Sequence, residues 1–174
     1  MTAEQLPWAE KLFHSLRYAA YRDLWTSTMF TQLAFSITSL VLDWYMLELT
    51  GSPMWVALVA FAAGVPMLVW SPVTGILADR LDRRRVMGAA MLLASGAVGV
   101  VALMVQFERV LPWHLVGLAF LLGSSFSLFA PARSALLASL VPGHLVVNAT
   151  VFQYSSSRVI SFVGPVLAGA LVGV

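Results

Sequence analysis

One stretch of the chain reads Gly75-Ile76-Leu77-Ala78-Asp79-Arg80-Leu81-Asp82-Arg83-Arg84-Arg85. Its last seven residues hold six charges, yet Met54–Ala78 just before and Val86–Phe107 just after hold none. An α-helix needs about 20 mostly apolar residues to cross roughly 30 Å of hydrocarbon, and both flanking runs are long enough. A dense charge cluster between two such runs is the aqueous turn between two membrane-spanning helices.

The rest of the chain repeats this pattern. Of 174 residues, 60% are hydrophobic and only 10% are charged, with a mean hydropathy of +0.87. A soluble domain carries about 25% charged residues, so a soluble fold is excluded. The apolar residues come in long runs, not in short alternating ones. The expected fold is therefore all-α, a polytopic bundle of about five membrane helices over residues 24–49, 54–78, 86–107, 112–130 and 146–174. The fifth is the least apolar, because the polar run Gln153–Arg158 interrupts it. Residues 1–23 read as an amphipathic segment on the membrane surface, with Trp8, Leu12, Phe13 and Leu16 beside Lys11 and Arg17. Ala168–Val174 end without a polar stop, so the chain reads as cut off.

Basic residues give the orientation. Lys11, Arg17, Arg22, Arg80, Arg83, Arg84, Arg85 and Arg133 fall on one side of the predicted spans and only Arg109 on the other. Positive charge collects on the cytoplasmic side, which puts the N-terminus and the 79–85 turn there. The basic residues form no continuous stripe, so nucleic acid is not an expected partner. With no Cys, and with His14, His114 and His144 far apart, no metal, cofactor or thiol chemistry is expected.

The 75–85 stretch resembles the cytoplasmic motif G-x-L-x-D-R-x-G-R-R/K of the major facilitator superfamily. Gly75, Leu77, Asp79, Arg80, Arg83 and Arg84 match, and Asp82 stands where the pattern has Gly. The resemblance implies half of a two-part transporter built from inverted three-helix repeats. It also implies a conformational latch in which Asp79 accepts from Arg80 and Arg83, while Gly75 lets a neighbouring helix approach. Gly164-Pro165-Val166-Leu167-Ala168-Gly169 resembles the antiporter motif of that superfamily through Gly164, Pro165 and Gly169. The helix-four Arg tied to proton transfer in many antiporters is absent from the predicted fourth span, which departs from the usual proton mechanism.

Two helical faces carry polar residues inside predicted spans. Thr28, Gln32, Ser36, Ser39 and Asp43 fall within about 80° at 100° per residue. Thr150, Tyr154, Ser157, Arg158 and Ser161 fall within about 100°. Gln32, Ser36, Asp43, Tyr154 and Arg158 are the candidates for a proton or substrate pathway. Two readings stand beside this: the first face as a helix-packing seam, and Arg158 snorkelling to the interface. Ala60/Gly64, Ala90/Ala94, Ser95/Gly99 and Gly169/Gly173 read as helix-packing contacts.

The resemblance implies a bacterial inner-membrane exporter of a drug-like molecule or siderophore, coupled to protons and not an enzyme. Its partners would be the lipid bilayer, a small-molecule substrate and a missing C-terminal half. A free-standing membrane scaffold is the alternative.

Overall fold

The structure, a computed structural model, describes residues 15–80 and 82–173; for 71–80, 171 and 172 it describes the backbone alone. Five long helices follow one another: α1 Ala19–Thr50, α2 Pro53–Arg80, α3 Arg83–Gln106, α4 Pro112–Leu140 and α5 Val146–Val172. Short 3-10 turns cover Ser15–Arg17 and Gly143–Leu145, and no strand occurs among the described residues.

The breaks between helices have local causes. Gly51 adopts φ 61, a left-handed conformation that costs glycine little, and its N–H bonds the Leu47 carbonyl at 2.7 Å. Pro53 then opens α2, where its missing N–H is no loss. Pro112 opens α4 in the same way, and the His114 Nδ1 accepts from the Leu111 N–H at 3.1 Å, a side chain reaching back to cap the helix. Helix α3 begins at Arg83, three residues after α2 ends at Arg80.

Among the described residues, four helices are long and apolar enough to cross a membrane: Ala19–Thr50, Pro53–Trp70, Arg83–Gln106 and Pro112–Leu140. Large apolar side chains point outward from them, including Leu68, 80% exposed, and Leu92, 76% exposed. In water such surface would be costly; in lipid it is the expected exterior. The fifth helix has 27 residues, about 40 Å, with the polar run Gln153–Arg158 in its first half.

Helix ends differ from the expected spans. Residues 1–14 of the predicted surface segment lie outside the described residues, and α1 already begins at Ala19, since neither Gly nor Pro interrupts 19–50. Helix α4 continues through Pro131 to Leu140, ten residues past the predicted end at 130. Proline there removes one bond, to the Ser127 carbonyl, and the Ala- and Leu-rich sequence that follows sustains the helix. Arg133, expected on an aqueous loop, is consequently a helix residue and only 8% exposed.

The chain divides into two compact units, residues 1–40 with 134–174 and residues 41–133. In the first, α1 lies along α5. The Tyr21 hydroxyl donates to the Ala149 carbonyl at 2.9 Å, and the Trp25 and Phe152 rings are 5.6 Å apart. Further along, Gly164 lies against Ser36. Every one of these pairs is separated by 127 or 128 residues, so the two helices run parallel and in step for four turns. In the second unit α2 runs parallel to α4: Trp55 meets Trp113 at 4.9 Å, Ala63 meets Gly123, and the Trp70 Nε1 donates to the Ser124 Oγ at 3.3 Å.

Candidate functional site: the α1–α5 seam

The strip of α5 that faces α1 is set by its contacts, Ala149 at one end and Gly164 at the other. Gln153 and Ser157 lie between them in height and in angle, within about 80° of Ala149. The facing strip of α1 carries Tyr21, Trp25, Thr28, Gln32 and Ser36, which share a similar arc. No residue on either strip is charged. Tyr21 and Thr28 are buried and satisfied, Thr28 by donating to the Leu24 carbonyl at 2.7 Å.

Gly164 permits the closest approach. A Cβ added there would run into the Ser36 side chain, so only glycine brings α5 this near to α1. The second predicted motif thus touches the first predicted polar face at Gly164 and Ser36. Pro165, one residue on, removes the N–H that would bond the Ser161 carbonyl. Gly169 is half-buried, and its carbonyl accepts from the Gly173 N–H at 3.1 Å at the end of α5.

The remaining candidates are placed as follows. Gln32 and Ser36 are half-buried on the α1 strip. Tyr154, 54% exposed, and Arg158, also exposed, lie on the outer side of α5 and not in the seam. Asp43 is half-buried and falls in the other compact unit. The residue that the polar-face reading missed is Gln153, 1% exposed, whose side-chain nitrogen and oxygen have no hydrogen-bond partner among the described residues. The same holds for the Ser157 Oγ and the Trp25 Nε1.

At the 75–85 turn, Gly75, Asp79 and Arg80 end α2 in the backbone, but their side chains lie outside the described residues. Asp82 has φ −60 and ψ 115, so no left-handed turn is used where the motif has glycine. It caps α3 instead, accepting from the Arg84 N–H at 2.9 Å, and pairs with Arg85 at 4.0 Å. Arg83 is half-buried and the Arg84 side chain exposed. Three Arg at a helix N-terminus oppose the macrodipole, so helix stability does not account for them. Asp82 gives one of them, Arg85, a charge partner in the turn.

Of the expected packing glycines, Gly64, Gly99 and Gly173 have nothing within 4 Å of where a Cβ would sit, whereas Ala90 is 1% exposed. The close approaches belong to Gly123 and Gly164 instead. No cluster of three or more His, Cys, Asp or Glu that could hold a metal occurs among the described residues.

The seam belongs to a chain whose relatives are membrane transporters. A family model described as transmembrane secretion effector matches residues 11–174. Macrolide efflux protein A of Streptococcus pyogenes is 28% identical over 153 residues, which are 87% of this chain and 37% of that protein. The uncharacterized MFS-type transporter YfiS of Bacillus subtilis is 30% identical over 128 residues, 72% of this chain and 29% of its own length. Macrolide efflux protein A of Enterococcus faecalis is 30% identical over 112 residues, 63% of this chain and 34% of that protein. The chain thus spans about a third of the length of the curated relatives it matches. No solved structure matches it. With its apolar helices, these relatives make it a multi-pass membrane protein.

Proposed function

The chain belongs to the transmembrane secretion effector family of major facilitator proteins, and from that premise we propose that it forms the N-terminal portion of an exporter of small organic molecules. The complete protein moves its cargo outward by alternating access, in exchange for protons, across the bacterial inner membrane, with the N-terminus in the cytoplasm. The cargo is drug-like, of the macrolide class named in the relatives or, as a second candidate, a siderophore. The observation that carries this reading is the family match over residues 11–174, and the 75–85 turn supports it. In that turn Asp79 would accept from Arg80 and Arg83 in the outward-open state and release them as the cavity opens inward, a two-state latch that cargo and proton binding bias.

Arg158 supports a pathway along α5. It lies twelve residues into the helix, about 18 Å from its start, and is exposed where lipid would be a poor neighbour for a guanidinium. Facing a water-filled path shared with the rest of the transporter removes that cost. Asp43 and Gln32 are the remaining candidates for proton and cargo contact from α1.

Replacing Asp79 by Asn in the full-length protein tests the latch. Efflux of a macrolide from energised cells should fall at least about tenfold, with membrane insertion unchanged. Wild-type efflux by that variant would remove the latch from the mechanism.

A further inference from the structure

The α1–α5 seam holds three polar groups that the latch and the exposed Arg158 face do not use. Gln153 is the most buried of them, 1% exposed, and both ends of its amide are unpartnered among the described residues. The Ser157 Oγ one turn later and the Trp25 Nε1 on α1 are in the same state. Other serines of α5 close on their own helix: Ser156 donates to the Phe152 carbonyl at 2.8 Å and Ser161 to the Arg158 carbonyl at 2.7 Å. Ser157 does not, although the Gln153 carbonyl occupies the i−4 place. Buried polar groups are nearly always paired, because one left alone has lost its hydrogen bonds to water and gained none in return. Three on adjacent turns of one helix pair form a concentrated deficit in a chain otherwise built to satisfy its polar atoms in lipid.

We propose that Gln153, Ser157 and Trp25 form a neutral hydrogen-bonding subsite for an uncharged hydroxyl or carbonyl group of the exported molecule. This rests on the transport reading above and narrows its cargo. The donor set makes the choice of chemistry. Gln153 offers two N–H donors and a carbonyl acceptor, Ser157 a donor and an acceptor, and Trp25 a donor only. A hydroxyl or carbonyl matches that mixture; a phosphate or an ammonium would find no counter-charge on either facing strip. Access follows from the helix geometry. Ser157 lies in angle between buried Gln153 and the exposed Tyr154–Arg158 face, so a group entering from that face meets Ser157 first and Gln153 next. Arg158 remains outside this subsite, free to deal with charge elsewhere on the cargo.

The subsite separates two effects that usually travel together. A leucine in place of an unpartnered buried amide removes a desolvated polar group, so it should not lower stability, whereas it abolishes the bonds to cargo. The experiment uses purified full-length protein, erythromycin as the hydroxyl-rich neutral-ring probe, and thermal unfolding alongside the binding titration. Gln153→Leu should raise the erythromycin Kd about tenfold and leave Tm equal or higher. Trp25→Phe keeps an aromatic ring against Phe152 and removes the N–H with a small area of ring; it should raise Kd about threefold. Unchanged Kd in both variants overturns the proposal. So does a fall in Tm with Gln153→Leu, with or without weaker binding, because that marks a structural cluster bridged by water. Wild-type protein that exports ethidium but does not bind erythromycin overturns the subsite and leaves the transport reading standing. Export of neither compound would sink both.

Discussion

The α1–α5 and α2–α4 pairs have the same design and opposite finish. Each joins helices distant in sequence, each runs parallel, and each has one glycine at its closest approach. In the α2–α4 pair no buried side-chain polar atom among the described residues lacks a partner. The Trp70 Nε1 donates to the Ser124 Oγ, which itself donates to the Phe120 carbonyl at 2.8 Å; Ser125 and Ser127 donate to carbonyls of their own helix. The α1–α5 pair leaves Trp25, Gln153 and Ser157 open. A satisfied pair is a rigid strut; an unsatisfied one keeps hydrogen-bonding capacity that something else must meet. On the proposed reading α2–α4 is the scaffold, and α1–α5 is the pair that meets the cargo.

The comparison is most severely tested at the two glycines. A Cβ on Gly123 would meet the Ala63 carbonyl oxygen, carbon and Cα, all of them backbone, which cannot rotate away. Gly123→Ala must therefore push α2 and α4 apart, an overpacking cost of about 2–3 kcal/mol, visible as a fall in Tm of the full-length protein. A variant as stable as wild type would show that α2–α4 is not the tight strut.

Gly164→Ala should cost somewhat less, about 1–2 kcal/mol, because the Ser36 Oγ can rotate aside, whereas the Ser36 Cβ is cleared only by a small helix shift or by glycine at 36. Adding Ser36→Gly should then recover most of the lost Tm. In a double-mutant cycle the coupling between 36 and 164 should be at least about 0.5 kcal/mol, and an additive result would remove the Ser36–Gly164 contact from the account.

Much of this was legible in the sequence, and the exceptions in packing share one cause. Charge, apolar run length and Gly/Pro breaks pointed to the breaks between the described helices, but not to the end of α4, which runs ten residues past the expected 130; Gly164 was marked by its motif. The buried face of α5 was not legible. Periodicity groups polar residues by angle but does not say whether a polar face turns to a neighbour or away from it. Tyr154 and Arg158 define the polar arc, yet α5 is rotated so that Gln153, one residue back, meets α1. The signal that finds Gln153 is its spacing from Ala149 and Gly164, small residues on one strip, and it is usable only once α1 is known to be the neighbour. Gly123 escaped for the same reason. Small residues at i, i+4 are common in apolar helices, and Gly64 and Gly99 fit that pattern while touching nothing.

The smallest effect is the most discriminating, because it applies one substitution to both pairs. Trp70→Phe removes a donor that is in use, leaving Ser124 its bond to Phe120 but losing the link between α2 and α4; the cost should be about 0.5–1 kcal/mol. Trp25→Phe removes a donor that bonds nothing among the described residues, so Tm should fall less than in Trp70→Phe, by the packing cost of the lost ring area alone. Both substitutions remove the same indole N–H and the same small area of ring, so their difference isolates the hydrogen bond. Equal losses of Tm would mean the Trp25 N–H is satisfied in the folded protein, and the contrast between an open seam and a closed one would collapse.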